Sequence, residues 1–297
     1  MGRIDKLVAL VATLVATLVA TAGVSACGED DTGGGAASAP QGSPIILATT
    51  TSTQDSGLLD VLVPAFERAS GRRVKTLAVG SGQAIELGRR GEADVVLAHS
   101  PAAEEELMAG GVAAQRRLVM HNDFVVVGPS ADPAGIAQRE PVPAFQAIAT
   151  RRARFVSRGD DSGTHKFELK LWEGAGVAPK GAWYEESGQG MGATLRIAAE
   201  KDAYTLADRA TYLATQQRER LTILVEGGGE LLNLYHVIDI TTKAGSRVNE
   251  AGGRAFADWV VSPAAQKLIG AFGVAKHGQP LFTPDAGKTP AQVKAAG

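Results

Sequence analysis

The sequence predicts an α/β fold, in which short strands alternate with helices along most of the chain. Short apolar runs such as VVLA and FVVV are each followed by a segment with apolar residues at helical spacing. The 297 residues are 44% hydrophobic and 21% charged, which is typical of a globular protein with a sizeable core. Strand-then-helix alternation indicates open parallel layers of sheet and helix.

The predicted elements follow a regular order. PIILATTTS contains the first strand, and Gly57 opens a helix that we expect to end at Gly71. Further strands are predicted within 73–80, 93–101, 123–130, 154–160 and 231–240, and further helices within 80–91, 102–111, 143–153 and 166–176. Residues 194–217 are predicted to alternate between helix and turn, and residues 254–273 to form one last helix.

The N-terminus has the features of a secreted lipoprotein. Residues 1–26 join a charged start, a long uncharged apolar run and small residues, as in a signal peptide. Cys27 is the only cysteine, so no disulfide can form within the chain, and its place after Val-Ser-Ala resembles a bacterial lipidation site. Residues 27–43 have the composition of a flexible tether. The alternative is an uncleaved membrane anchor, for which the apolar run is barely long enough, since a bilayer needs about 20 residues.

Charge and composition exclude several function classes. The net charge is −2, so a nucleic-acid partner is not expected. The five histidines are scattered and no thiolate remains in the body, so we expect no metal site and no cofactor. A serine hydrolase built from Ser162, His165 and Asp160 is disfavoured, because a nucleophile and its base are rarely sequence neighbours.

Three strand-to-helix junctions are rich in Ser, Thr and Gly. They are TTTSTQDSG at 49–57, GSGQA at 80–84 and SRGDDSGTH at 157–165. A helix start carries unpaired N–H groups and partial positive charge, and hydroxyls add donors without fixed charge. If the three junctions converge, they can surround a tetrahedral anion with donors. Taken singly, TTTS could be only a helix cap, and GSGQA is a weak signal.

The third junction contains charges that need an explanation. Arg158 can make a permanently charged, bidentate contact with an anion, or it can pair with an aspartate at the surface. Asp160 and Asp161 would repel an anion unless they pair with Arg158, cap the helix or accept a proton from the ligand. Pairing or capping is the favoured interpretation, and proton acceptance stays open because it would suit hydrogen phosphate.

Several of these motifs together resemble the solute-binding lipoproteins of tungstate ABC importers. The resemblance covers about residues 44–275 and is carried by ATTTS, GSGQAIELGRRGEADVVLAHSP, HNDFVVVGPSADPAGI, SRGDDSGTH, WYEESGQGMGATL and YTLADRATY. It implies a two-lobed periplasmic-binding fold of type II character, with a membrane permease and an ATPase as partners and a monomeric receptor tethered outside the cell through Cys27.

The resemblance also implies which residues bind the ligand. The expected donors are Thr50, Thr51, Ser52, Ser81, Arg158, Ser162, Gly163 and Thr164. Which threonine of the triplet points inward is left open, as is whether GQGMG at 188–192 lines the site. Lobe I is expected at 44–121 and 236–297 and lobe II at 122–235, with the two crossing strands forming a hinge.

The ligand follows from protonation and from the resemblance. Tungstate, molybdate and sulfate carry no proton at neutral pH and suit a cavity made only of donors, whereas phosphate needs an acceptor. Only the resemblance favours tungstate, and molybdate remains possible. A receptor for phosphate or another small anion is the alternative, an enzyme on the same fold is a weaker one, and no catalytic residue is assigned.

Overall fold

The computed structural model describes residues 42–215 and 220–296, and it confirms the α/β class. The strands are β1 (Ile45–Thr50), β2 (Val74–Val79), β3 (Val95–Ala98), β4 (Ala113–Pro129), β5 (Phe155–Ser157), β6 (Tyr184–Glu186), β7 (Thr205–Asp208), β8 (Leu221–Val225), β9 (Leu232–Ile240) and β10 (Thr283–Pro284). The helices are α1 (Thr51–Asp55), α2 (Leu59–Ser70), α3 (Ser81–Arg89), α4 (Pro101–Ala109), α5 (Pro141–Arg151), α6 (Gly163–Gly174), α7 (Met191–Glu200), α8 (Arg209–Ala214), α9 (Glu250–Val260), α10 (Pro263–Ala271), α11 (Val274–His277) and α12 (Pro290–Ala296). Cys27 and the predicted signal segment lie outside the described residues.

The main sheet is mixed rather than wholly parallel. Its strand order is β10-β4-β9-β3-β1-β2, and β7 and β8 also pair with β4. β1 pairs in parallel with β2 and β3, as the strand–helix alternation predicts, whereas β9 runs antiparallel to β3 and β4. Parallel pairing needs a crossover, and helices α2 and α3 supply it only for the first strands.

The long strand β4 changes partners along its length. Ala113–Asp123 pairs with β9, whereas Phe124–Val127 pairs with β7 and Val126–Pro129 with β8. The sequence predicted only the apolar end of this strand, which in fact begins at Ala113. The earlier half, AAQRRLVMHN, lacks a clear apolar period, and it is a strand because it pairs with β9 and β10.

Two other predicted elements are corrected. Within 194–217, predicted to alternate between helix and turn, Thr205–Asp208 is the fully buried strand β7, and it is too short for periodicity to distinguish it from a helix. The single helix predicted at 254–273 is two helices. Ser262 caps the second by accepting from Ala265 N, and Pro263 lacks the N–H that would continue the first.

The fold brings several strand ends to helix starts. β1 runs directly into α1, β2 reaches α3 through Gly80, and β5 reaches α6 through the loop 158–162. The central strand β3 is buried at all four positions, so the sheet provides a rigid base for these junctions. Within 42–215 and 220–296, no helix has the length and hydropathy needed to cross a bilayer.

Candidate anion-binding site

The starts of helices α1, α3, α6 and α7 lie against one another. A Cβ atom placed on Gly80, before α3, would lie 3.5 Å from the backbone oxygen of Asp160. A Cβ atom on Gly190, before α7, would lie 3.3 Å from Thr51 Cβ in α1. The three predicted junctions therefore converge, together with the start of α7, and we call the space they border the anion site.

Glycine at the start of α6 permits a close backbone approach. A Cβ atom on Gly163 would lie 2.7 Å from the backbone oxygen of His99 and 2.9 Å from its Nδ1. Real Cβ atoms do not come this close to a backbone oxygen, so only glycine fits without movement. Gly163 thus fixes how near α6 comes to the end of β3.

The hydroxyls of the TTTS segment have different roles in the sheet, in the helix cap and at the site. Thr49 Oγ1 donates to Leu97 O at 2.9 Å, which is a bond within the sheet. Thr50 Oγ1 caps α1 by accepting from Thr53 N at 3.2 Å and lies 3.0 Å from Ser52 Oγ. Thr51 Oγ1 accepts from Arg158 Nη2 at 3.3 Å. Thr51 is therefore the threonine of the triplet that contacts the predicted cation.

Two of the predicted donors are buried hydroxyls that lack a partner among the described residues. Ser81 Oγ and Thr164 Oγ1 make no hydrogen bond to the described residues, and both side chains are 0% exposed. Leaving a buried hydroxyl unpaired costs about 1–3 kcal/mol. They stand in the first turns of α3 and α6, where backbone N–H groups are also unpaired. This pattern is typical of a site that receives its acceptor from a ligand.

Arg158 is almost fully buried and is held in place from two sides. Its Nε donates to Gln189 O at 2.8 Å, and its Nη2 donates to Thr51 Oγ1 and to the Asp160 carboxylate. Among the described residues, Nη1 makes no hydrogen bond, so part of the fork remains available for a ligand. The side chain is 2% exposed, and burial strengthens its attraction to an anion.

Asp160 pairs with Arg158, as the favoured interpretation predicted, and it also accepts a hydrogen bond from within its own loop. Its Oδ2 contacts Arg158, and its Oδ1 accepts from Ser162 N at 3.2 Å. Asp161 differs, because its side chain is 80% exposed and lies 3.5 Å from Lys166 Nζ. Asp161 adopts a φ of +57°, which Asp tolerates better than most residues. The two carboxylates therefore have separate roles.

Replacing Asp161 with asparagine is expected to leave the response to phosphate as it is in the wild type, because this carboxylate faces solvent. Calorimetric titration with phosphate should show no binding for Asp161→Asn, as for the wild type. The matched control is Asp160→Asn, which removes the charge that pairs with Arg158. A gain of phosphate binding in Asp161→Asn would place its carboxylate at the ligand.

Ser162 and His165 are not arranged as a nucleophile and its base. Ser162 Oγ caps α6 by accepting from His165 N at 3.2 Å. The His165 imidazole accepts from Asp161 N through Nδ1 at 3.1 Å. Within the described segments, no group of three His, Cys, Asp or Glu side chains is placed to hold a metal ion.

The segment GQGMG borders the site, which the sequence left open. Gln189 O holds Arg158, and Gly190 packs against Thr51. Gly192 N donates to Asp55 Oδ2 at 3.1 Å, which ties the start of α7 to α1. The glycines allow both approaches, since side chains there would crowd Thr51 and Asp55.

His99 is a site residue that sequence reasoning missed. It follows the buried strand β3, and its Nε2 lies 3.2 Å from Ser52 Oγ. Burial, with a further contribution from the positive charge of Arg158, lowers the pKa of His99 to about 3. The imidazole is therefore neutral at physiological pH. The only sequence signal was its position, a polar residue at the carboxyl end of an apolar strand.

Exchanging His99 for glutamine or asparagine should separate its two ring nitrogens. A glutamine amide nitrogen can occupy the Nε2 position and donate to Ser52 Oγ, whereas asparagine is too short. We expect His99→Gln to retain most anion affinity and His99→Asn to lose about tenfold, the value of about one hydrogen bond. Equal losses in both variants, measured by calorimetry, would show that the ring only fills space.

A buried polar network connects the site with the crossing strands. Asn122 Nδ2 donates to Asp208 Oδ1 at 3.2 Å, and Asn233 Nδ2 donates to Asn122 Oδ1 at 2.9 Å. Burial raises the pKa of the Asp208 carboxyl, which also caps α8 by accepting from Thr211 N. Thr211 Oγ1 in turn donates to Ser52 O at 3.3 Å. The network links α1 to β4 and β9 through side chains that sequence analysis did not single out.

Comparison with known families gives a consistent result. Residues 34–264 match the model of the PBP superfamily domain. The tungstate-binding protein TupA of Peptoclostridium acidaminophilum is 50% identical over 247 residues, which cover 82% of this chain and 86% of that protein.

Solved structures agree with the sequence comparison. The tungstate-binding protein TupA of Desulfovibrio alaskensis G20 superposes with a TM-score of 0.68 at 42% identity, covering 82% of this chain and 100% of that one. The tungstate ABC transporter structure from Geobacter sulfurreducens superposes with a TM-score of 0.70 at 45% identity, covering 77% and 98% of the two chains.

Proposed function

Because the chain belongs to the PBP superfamily and, within it, to the family of the tungstate-binding proteins, we propose that it is the receptor of an ABC importer. Its ligand is a tetrahedral oxyanion, tungstate in the first place with molybdate as a second candidate. The ligand lies in the anion site and is released unchanged to the transporter, so the chain acts by binding and not by catalysis. No resident cofactor is required.

The observation that carries this proposal is that two buried hydroxyls lack a partner among the described residues and stand at helix starts that converge with the loop of the buried Arg158. Ser81 Oγ and Thr164 Oγ1 offer donors from two helix starts, and Arg158 offers charge. We assign the ligand contacts to Thr51, Ser52, Ser81, Arg158, Ser162, Gly163 and Thr164. Gly163 contributes its backbone N–H group and Ser162 its hydroxyl, because Ser162 N already donates to Asp160 Oδ1. Thr50 supports Ser52 and Thr53 from the cap position.

The number of donors is sufficient for tight binding. A hydrogen bond to a charged group contributes about 1.5–3 kcal/mol net. Five to eight such bonds, reduced by the cost of association, are compatible with nanomolar affinity, about −12 kcal/mol. A site made of donors suits a fully ionised dianion. The pairing of Asp160 with Arg158 leaves that carboxylate poorly placed to accept a proton from hydrogen phosphate.

The receptor function also implies partner subunits in the membrane and two lobes that move relative to each other. A membrane permease and an ATPase would take the ligand from the receptor. Residues 44–121 with 236–297 form lobe I and residues 122–235 form lobe II, which is supported by the change of partners along β4 near Asp123. Closure of the lobes about β4 and β9 would enclose the anion between α1 and α3 on one side and α6 and α7 on the other.

The receptor is tethered outside the cell by a lipid on Cys27. This part of the proposal rests on the sequence alone. Cys27→Ser is expected to release the protein from membranes, because the thiol that carries the lipid is lost. Fractionation of cells that express the full chain checks this. A variant that stays in the membrane fraction would instead identify the apolar run at 7–23 as an anchor.

Calorimetric titration of residues 44–297 with tungstate, molybdate, sulfate and phosphate at one pH tests the ligand. We expect one-to-one tungstate binding, weaker molybdate binding and no phosphate binding. Tighter binding of phosphate would favour the phosphate receptor, and consumption of a ligand without release would favour an enzyme.

A further inference from the structure

A cavity beside the anion site is lined by lysines that the binding assignment does not use. It encloses about 290 Å³, and its wall includes Lys166, Lys170 and Lys294. His99 and Gly163, which border the anion site, also line this cavity. The cavity therefore lies next to the anion site, and we call it the lysine vestibule.

The charges around the vestibule are unbalanced. Glu230 is the acidic side chain among its lining residues, set against the three lysines. Lys166 also lies 3.5 Å from Asp161 Oδ2, but that carboxylate is 80% exposed and the pair is weak in water. The chain as a whole has a net charge of −2 and would repel a dianion at long range. A local positive field at the vestibule would offset that repulsion there.

The side chains of the vestibule wall are suited to attracting an anion but not to binding it tightly. Its wall includes the stacked rings of Phe124 and Phe167, whose centroids are 4.8 Å apart and which offer no hydrogen-bond donor. Lysine is a point charge on a flexible stem and lacks the fixed fork with which Arg158 can grip an anion. The donors that bind the anion lie on the far side of His99 and Gly163, which are in close contact and belong to different proposed lobes. The vestibule would therefore open onto these donors when the lobes part.

We propose that the lysine vestibule is the electrostatic entrance through which the dianion reaches the anion site. This inference rests on the proposed function of that site. Lys166, Lys170 and Lys294 raise the association rate constant and leave the dissociation rate constant unchanged, because the proposed ligand contacts include none of the three lysines. Steering of this kind accelerates association by about tenfold or more at low ionic strength and is lost as salt screens it.

The test is a stopped-flow measurement of tungstate binding, followed by tryptophan fluorescence, with equilibrium affinities from calorimetry. The triple variant Lys166→Gln, Lys170→Gln, Lys294→Gln should bind about tenfold more slowly at low salt, with an unchanged dissociation rate and little difference at high salt. Glu230→Gln should bind faster than the wild type. Lys267 is an exposed lysine on α10, outside the vestibule. Its variant Lys267→Gln is the matched control and should behave as the wild type.

The outcomes separate the two proposals. If the wild type binds tungstate and the triple variant associates at the wild-type rate, or differs only in its dissociation rate, the entrance is overturned while the receptor stands. A slowing that Lys267→Gln reproduces would also overturn it, since any surface lysine would then suffice. If the wild type binds none of the four oxyanions, the receptor proposal fails and the entrance fails with it.

Discussion

Replacing Arg158 with alanine is expected to lower tungstate affinity by about a thousandfold, close to 4 kcal/mol. The guanidinium supplies charge-assisted hydrogen bonds, each contributing about 1.5–3 kcal/mol. Its loss also leaves the Asp160 carboxylate without its partner, and Asp160 Oδ1 remains fixed by Ser162 N beside the site. An unpaired carboxylate there repels a dianion.

A double-mutant cycle separates these two effects. If repulsion contributes, Arg158→Ala combined with Asp160→Ala should bind tungstate more tightly than Arg158→Ala alone. Arg158→Lys keeps the charge but not the planar fork, so an intermediate affinity is expected. Calorimetry measures each affinity, and thermal melting without ligand shows whether the variants fold. Unchanged affinity in Arg158→Ala would remove this residue from the site.

Replacing Gly163 with alanine is expected to lower anion affinity by at least a hundredfold, about 3 kcal/mol, through a clash of a single methyl group. The added Cβ would lie 2.7 Å from His99 O and 2.9 Å from His99 Nδ1. A backbone oxygen at the end of the buried strand β3 cannot yield cheaply, so the start of α6 must move away. Thr164 and the backbone N–H groups of α6 would move with it.

The same substitution should not weaken the helix itself. Alanine is a better helix former than glycine by about 1 kcal/mol in a helix interior, so α6 alone is not expected to unfold. Gly174→Ala, at the other end of α6, is the matched control, since its added Cβ would meet only the Val142 side chain, at 3.2 Å. We expect wild-type affinity from Gly174→Ala. Wild-type affinity in Gly163→Ala would show that the close approach to His99 is not needed for binding.

The sequence alone determined the class of fold and the loops of the site. Strand-then-helix alternation predicted α/β, and α2 ends before Gly71 as expected. The three junctions rich in Ser, Thr and Gly do converge, and Arg158 lies among them. These features are local, because a helix start, a glycine turn and a hydroxyl donor are each encoded within a few residues.

Only the tertiary structure decided which partners those residues meet. Nothing near His99 in the chain indicates that it contacts Ser52, and Thr51 is distinguished from Thr50 only by the distant Arg158. The first half of β4 and the strand β7 escaped prediction for the same reason, since pairing with distant strands overrides weak local patterns. Local propensity depends on neighbours in sequence, whereas a binding site depends on contacts between residues far apart along the chain, and those contacts exist only once the core has packed.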